Sequence, residues 1–159
     1  MELVRAGHLD TVVLPVGDGA LITGTGRWIK AHSPATRMVG VCPAAAPAME
    51  HSWRAGRVVQ AEPAHTIADG LAMREPAPET VRRMRALVDN MVLVTDSALL
   101  DGMRLAARTL GLLIEPSAAA GLAAIATHDL PGRTLATVLT GTDPRSSLLA
   151  QALQDRPEH

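Results

Sequence analysis

Gly17 and Gly19 follow directly on an unbroken apolar run, Val12, Val13, Leu14, Pro15 and Val16, and a second apolar stretch opens at Leu21. A run rich in β-branched residues, then glycines, then apolar residues at helical spacing reads as strand, tight loop and helix over residues 11–31. That order gathers backbone N–H groups and the positive end of a helix dipole at one point, which suits an anion such as a phosphate. Small residues from Gly17 to Gly26 would equally let a helix pack closely on a sheet. Taken alone, the segment leaves the anion cradle and the packing device both open.

Other chemistries find less support. Gly17-Asp18-Gly19-Ala20-Leu21-Ile22 lacks the third glycine of G-x-G-x-x-G, and the next apolar run ends in Cys42-Pro43 where a ribose-binding carboxylate is needed. No G-x-x-x-x-G-K-[ST] occurs. The histidines at 8, 32, 51, 65, 128 and 159 show neither H-E-x-x-H spacing nor a C-x-x-C companion, so they read as surface or satisfied core residues and no metal is expected. Ser33 and Ser117 stand in no G-x-S-x-G elbow. Lys30 is the single lysine among 15 basic residues. It falls late on the helix after the glycines, in Arg27-Trp28-Ile29-Lys30-Ala31-His32, where a solvated or snorkelling role is expected rather than Schiff-base chemistry.

The elements that must position the glycines follow from pattern. With 159 residues, 16.7 kDa and 47% hydrophobic content, the chain can bury the core of one domain. Phe and Tyr are absent, so Leu, Val, Ala, Met and Ile fill that core, with Trp28 and Trp53 the only large rings. This argues against aromatic stacking on bases or sugars. A net charge of −1 and a pI near 6.6 leave no electrostatic footprint for nucleic acid or anionic membrane. No apolar segment reaches the roughly 18–20 residues of a membrane span, Cys42 has no disulfide partner, and the opening residues carry Glu2, Arg5 and His8 rather than a leader. A cytoplasmic setting is expected.

Residues 3–9 read as the end of a helix, 11–15 as a buried strand, 21–32 as a helix and 38–42 as a second strand. The last three form a βαβ unit of about 30 residues. Helices are expected over 44–54, 79–88, 97–110 (capped by Thr95 or Asp96 and closed by Gly111), 118–127 (capped by Ser117) and 146–154. Residues 57–68, with Pro63, read as a loop, and 112–114 as extended chain; 91–94 and 134–139 read as strands, with a turn at Pro131-Gly132. Strands apolar throughout, alternating with helices, predict an α/β fold: an open, mostly parallel sheet with helices on both faces. One domain is expected over 1–154, with a disordered tail at 155–159.

Beside the glycine loop stand Thr66-Ile67-Ala68-Asp69-Gly70-Leu71-Ala72, Ile114-Glu115-Pro116-Ser117-Ala118-Ala119-Ala120 and Val138-Leu139-Thr140-Gly141-Thr142-Asp143. In this order and spacing the segments resemble the second half of the threonine/serine dehydratase and serine racemase family, pyridoxal-phosphate enzymes of the fold type II group. The resemblance covers nearly the whole chain. Leu21-Ile22-Thr23-Gly24-Thr25-Gly26-Arg27 is also similar to the cysteine synthase branch of that group, while Thr-Ile-Ala-Asp-Gly points back to the dehydratases.

The resemblance implies the large domain of a fold type II enzyme without its N-terminal part, and pyridoxal 5'-phosphate as cofactor. Gly17, Asp18, Gly19, Ala20 and Leu21 would wrap the phosphate with backbone N–H groups. Gly70 would lie against the ring, Glu115 would line the pocket, and the Thr140 hydroxyl would meet the ring nitrogen. A neutral hydroxyl there leaves that nitrogen unprotonated, which favours β-elimination over transamination. Asp18 and Ala20 interrupt a cradle that is nearly all glycine in the family. Cys42 stands where many members carry a glutamate that helps bind a cation. Ala118 replaces a common glycine, and Thr142-Asp143 a Gly-Asn pair.

The family's catalytic lysine lies in a serine-lysine motif in the first half of the polypeptide, which has no counterpart here. The chain is therefore expected to be inactive alone as a fragment or subunit of a hydroxy-amino-acid dehydratase, completed by a partner chain that supplies the first half, or associated with itself. The alternative is a non-catalytic module that keeps phosphate or amino-acid affinity or an interaction surface.

Overall fold

A computed structural model of the chain describes residues 7–61, 65–142 and 144–153. The expected tail at 155–159, most of the helix end at 3–9, Pro63 and Asp143 lie outside the described residues; 7–9 are not helical.

The βαβ unit forms as expected, with β1 at Thr11–Pro15, α1 at Ala20–His32 and β2 at Arg37–Pro43. Then come α2 (Ala48–Ala55), a single 3-10 turn (Asp69–Leu71), α3 (Pro78–Leu87), β3 (Asn90–Val94), α4 (Asp96–Leu110), α5 (Pro116–Thr127), β4 (Leu135–Thr137) and α6 (Ser146–Leu153). The four strands pair in the order β3-β2-β1-β4, every pair parallel. Strand side chains alternate between faces. Val12, Leu14, Met38 and Met91 meet Ile22 and Ile29 of α1, Met49 of α2 and Val81 and Met84 of α3. Val13, Val39, Val41 and Val94 meet Leu99 of α4 and Ala120, Ala123 and Ala124 of α5. Burying a side chain as completely as Leu14, at 0% exposure, stabilises the fold by roughly 1.5–3 kcal/mol.

Local chemistry sets the element ends. Thr95 caps α4 by accepting from the Ala98 N–H at 3.2 Å, and Gly111 closes it in the left-handed region at φ 66°. Helix α2 starts at Ala48, later than expected, because Ala44 N still donates to Val94 O and Ala46 N turns back to Pro43 O. A residue before proline also avoids the helical region, so Ala46 cannot precede Pro47 in a helix. Ser117 is not a cap: α5 opens at Pro116 with Glu115 in the cap position, since proline suits the first helical turn. Strand β4 is shorter than expected, pairing with β1 only from Thr11↔Leu135 to Val13↔Thr137.

Two consequences of connectivity matter for the site. From β1 the chain steps outward to β2 and β3, then returns across the sheet through α4 and α5 to β4 on the other side of β1. The carboxyl ends of β1 and β4 therefore flank a topological switch point, where open α/β sheets leave a crevice for ligands. The opposite end of the sheet is closed by Asp89, whose carboxylate accepts from Met38 N at 2.7 Å and from Lys30 Nζ at 2.8 Å.

Candidate functional site

The chain leaves β1 through Val16 and turns into α1 at Gly19, which holds a left-handed φ of 84° that L side chains avoid. A Cβ there would also stand 3.1 Å from Met84 Sδ. The first turn of a helix has N–H groups without intrahelical partners. Here Asp18 Oδ1 accepts from Ala20 N at 2.9 Å, and Leu21, the next residue of the turn, is exposed. Asp18, Ala20 and Leu21 are exposed and Gly17 is half-buried, so a ligand can reach this end of α1.

Gly70 faces the cradle across a close backbone approach: a Cβ on Gly17 would lie 2.7 Å from Gly70 O. A Cβ on Gly70 would lie 3.0 Å from Ser117 Oγ, so Gly70 fits between the cradle and the first turn of α5. At the cap of α5, Glu115 N donates to Gly141 O at 3.2 Å, and the Glu115 carboxylate fills the space beside the Gly141 α-carbon. Thr140, the neighbour of Gly141, is exposed on the segment that follows β4. Residues 17–21, Gly70, Glu115 and Thr140 are thus strung along one edge of the sheet, at the β1–β4 switch point. An exposed helix start, glycines that let backbone and ligand approach, and an exposed threonine on the segment after β4 fit a phosphorylated ring cofactor. The Asp18 carboxylate, bonded to Ala20 N, departs from that fit.

Spacing in the sequence does not reveal what holds Gly70 in place. Asp96, at the first position of α4, accepts from Thr66 Oγ1 at 2.6 Å and from Ile67 N at 3.1 Å. Beyond the turn, Arg145 Nη2 reaches Asp69 Oδ2 at 3.3 Å, an exposed pair that contributes little. The Asp96 latch is the stronger tie. Asp96→Ala is expected to lower stability by about 1–2 kcal/mol and to speed amide exchange over residues 66–72 more than over β1. Unchanged exchange in that segment would show that the latch does not position Gly70.

Two other residues of the sequence reading are placed away from chemistry. Lys30 is tied to Asp89 and Thr36 O at the far end of the sheet, so it cannot reach the crevice. Cys42 is buried, its thiol pushed up to about 12 by desolvation, and its Sγ lies 3.6 Å from Val16 O. A protonated, apolar thiol is a poor ligand for a hard cation. Among the described residues, no group of three or more His, Cys, Asp or Glu side chains could hold a metal ion, and no helix is long and apolar enough to cross a membrane.

Comparison with known proteins agrees with this geometry. The family model described as pyridoxal-phosphate dependent enzyme matches residues 1–141. An L-threonine ammonia-lyase of Thermotoga maritima is 33% identical over 134 residues, covering 84% of this chain and 33% of its own length. A solved threonine deaminase from T.th. superposes with a TM-score of 0.83 at 36% identity, over 88% of this chain and 51% of that one. Maize serine racemase superposes with a TM-score of 0.85 at 28% identity, over 96% and 48%. The chain thus spans between a third and about half of the length of these relatives.

Proposed function

The chain belongs to the pyridoxal-phosphate dependent enzyme family, and on that premise we propose that it is the phosphate-holding part of the cofactor domain of a hydroxy-amino-acid dehydratase. What supports this reading is the close approach of Gly17 to Gly70 and of Glu115 to Gly141, beyond the carboxyl ends of β1 and β4. Pyridoxal phosphate, when bound, supplies the electron sink for β-elimination of water from a small hydroxy amino acid. In this proposal, the backbone N–H groups of residues 17–21 and the positive end of α1 hold the phosphate. Gly70, lacking a side chain, lets the ring lie close to the backbone. The Thr140 hydroxyl meets the ring nitrogen without giving it a full proton, and Glu115 lines the pocket beside it.

No lysine side chain of the chain can carry the cofactor at this site, because Lys30 is its only lysine and is engaged at the other end of the sheet. The proposal therefore assigns the lysine to the part of the family's polypeptide that this chain does not span, and the assembly to the cytoplasm. One feature of the fold suits such an addition: among the described residues β4 pairs only with β1, and all its residues are half-buried. That edge is open to further strands.

The test is reconstitution. The chain mixed with pyridoxal phosphate and L-threonine is expected to form no keto acid. Adding a polypeptide that carries the family's serine-lysine motif is expected to yield keto acid and an absorbance band near about 410–420 nm. Substantial turnover by the chain alone overturns the assignment of the lysine to a segment outside it. The Asp18 carboxylate inside the cradle favours a second reading, a non-catalytic module that keeps weak anion or amino-acid affinity. Phosphate binding that persists when no partner restores the band would select it.

A further inference from the structure

Asp18 is exposed, yet its carboxylate folds back onto the start of α1. Its Oδ1 sits 2.9 Å from Ala20 N, on one of the donors that the first turn of α1 holds out to a ligand. An acidic group there is also favoured by the dipole of a 13-residue helix. No Lys, Arg or His occurs between Thr11 and Gly26, so no nearby side chain of the cradle loop compensates a second negative charge. A phosphate and the Asp18 carboxylate consequently compete for the same donor and repel each other at short range.

We propose that Asp18 is a resident anion of the cradle, a specificity-determining residue that weakens phosphate binding until its carboxylate leaves the Ala20 N–H. This rests on the reading of residues 17–21 as the phosphate cradle, and it adds what that reading lacks, a reason for the cradle to hold its ligand loosely. A phosphorylated ligand enters only by displacing the side chain; a ligand without phosphate gains nothing from the displacement. Substituting Asp18 separates the two parts of the effect. Asp18→Asn keeps an oxygen acceptor for Ala20 N and removes the charge. Asp18→Ala removes both.

The experiment titrates the full chain and both variants with pyridoxal phosphate, inorganic phosphate and pyridoxal by calorimetry, after circular dichroism and thermal melting confirm that each variant folds. Phosphate and pyridoxal phosphate are expected to bind Asp18→Ala on the order of tenfold or more tighter than wild type, with Asp18→Asn between them and pyridoxal unchanged. In the wild-type protein, the Ala20 amide resonance is expected to shift as phosphate displaces the carboxylate. Equal phosphate affinity in all three proteins, with measurable binding, overturns the role of Asp18 and leaves the cradle standing. Absence of phosphate binding in all three overturns both. A gain for pyridoxal as large as that for pyridoxal phosphate also overturns the proposal, because the effect would then not act on the phosphate.

Discussion

Gly17→Ala is expected to lower the affinity of the chain for pyridoxal phosphate by about tenfold to a hundredfold, roughly 1.4–2.8 kcal/mol, while leaving the sheet folded. The added methyl would stand 2.7 Å from the Gly70 carbonyl oxygen and 3.6 Å from the Leu71 α-carbon. The second is ordinary contact. The first is a clash with a backbone atom, so no rotamer change relieves it, and the two segments must part by several tenths of an ångström, about 0.7 Å. Neither retreats freely. Leu71 is buried beneath the turn, and Asp96 latches the strand of chain leading into it. On the other side, Gly19 leaves room for nothing between the cradle and Met84. The displacement therefore falls on the gap that the ligand must occupy. Titration with pyridoxal phosphate, with thermal melting as a control for folding, measures it. Affinity within twofold of wild type would show that the approach of Gly17 to Gly70 does not shape the site.

Much of this arrangement is legible in the sequence, for physical reasons that particular residues make plain. Strands β1, β2 and β3 are covered on both faces, so they are apolar throughout and stand out from their surroundings. Thr95 and Gly111 announce the ends of α4 by capping chemistry that acts within a few residues. The cradle is legible because strand, glycines and helix are contiguous. What sequence does not disclose depends on partners far along the chain. Asp96 looks like a cap candidate beside Thr95, yet its carboxylate serves Thr66 and Ile67 thirty residues away. Ser117 has the composition of a cap but packs under Gly70 instead. Residues 134–139 have the pattern of a longer strand, but among the described residues β4 has a single neighbour, and its ladder ends where the chain departs toward Thr140. The direction of the Asp18 side chain is decided by an open donor on Ala20, which no residue pattern encodes.

The largest effect on stability is expected at Gly121, in the middle of α5. This helix is built mainly from alanine and lies against both β1 and β4. A Cβ on Gly121 would sit 2.9 Å from Thr137 Cβ and 3.3 Å from Val13 O. Thr137 Oγ1, already buried without a hydrogen-bond partner, is nearer still. On the opposite side, α5 is held to α4 through Gly102, where a Cβ would lie 2.9 Å from Ala119 O. Helix α5 is thus wedged between sheet and helix through two glycines and cannot shift away from one without colliding with the other. Gly121→Val adds three carbons where even one does not fit, and is expected to cost more than about 4 kcal/mol, a large part of the stability of a domain this size. Because Glu115 and Ser117 ride on the first turn of α5, partial unpacking would also open the crevice at the switch point. Gly24→Ala supplies the control: a Cβ there meets nothing within 4 Å, so relief of glycine's conformational entropy should stabilise α1 by about 0.5–1 kcal/mol. Urea denaturation of the two variants measures both signs. A Gly121→Val protein as stable as wild type would mean that α5 does not pack on β1 and β4 as closely as these distances require, and the placement of Glu115 beside Gly141 would fall with it.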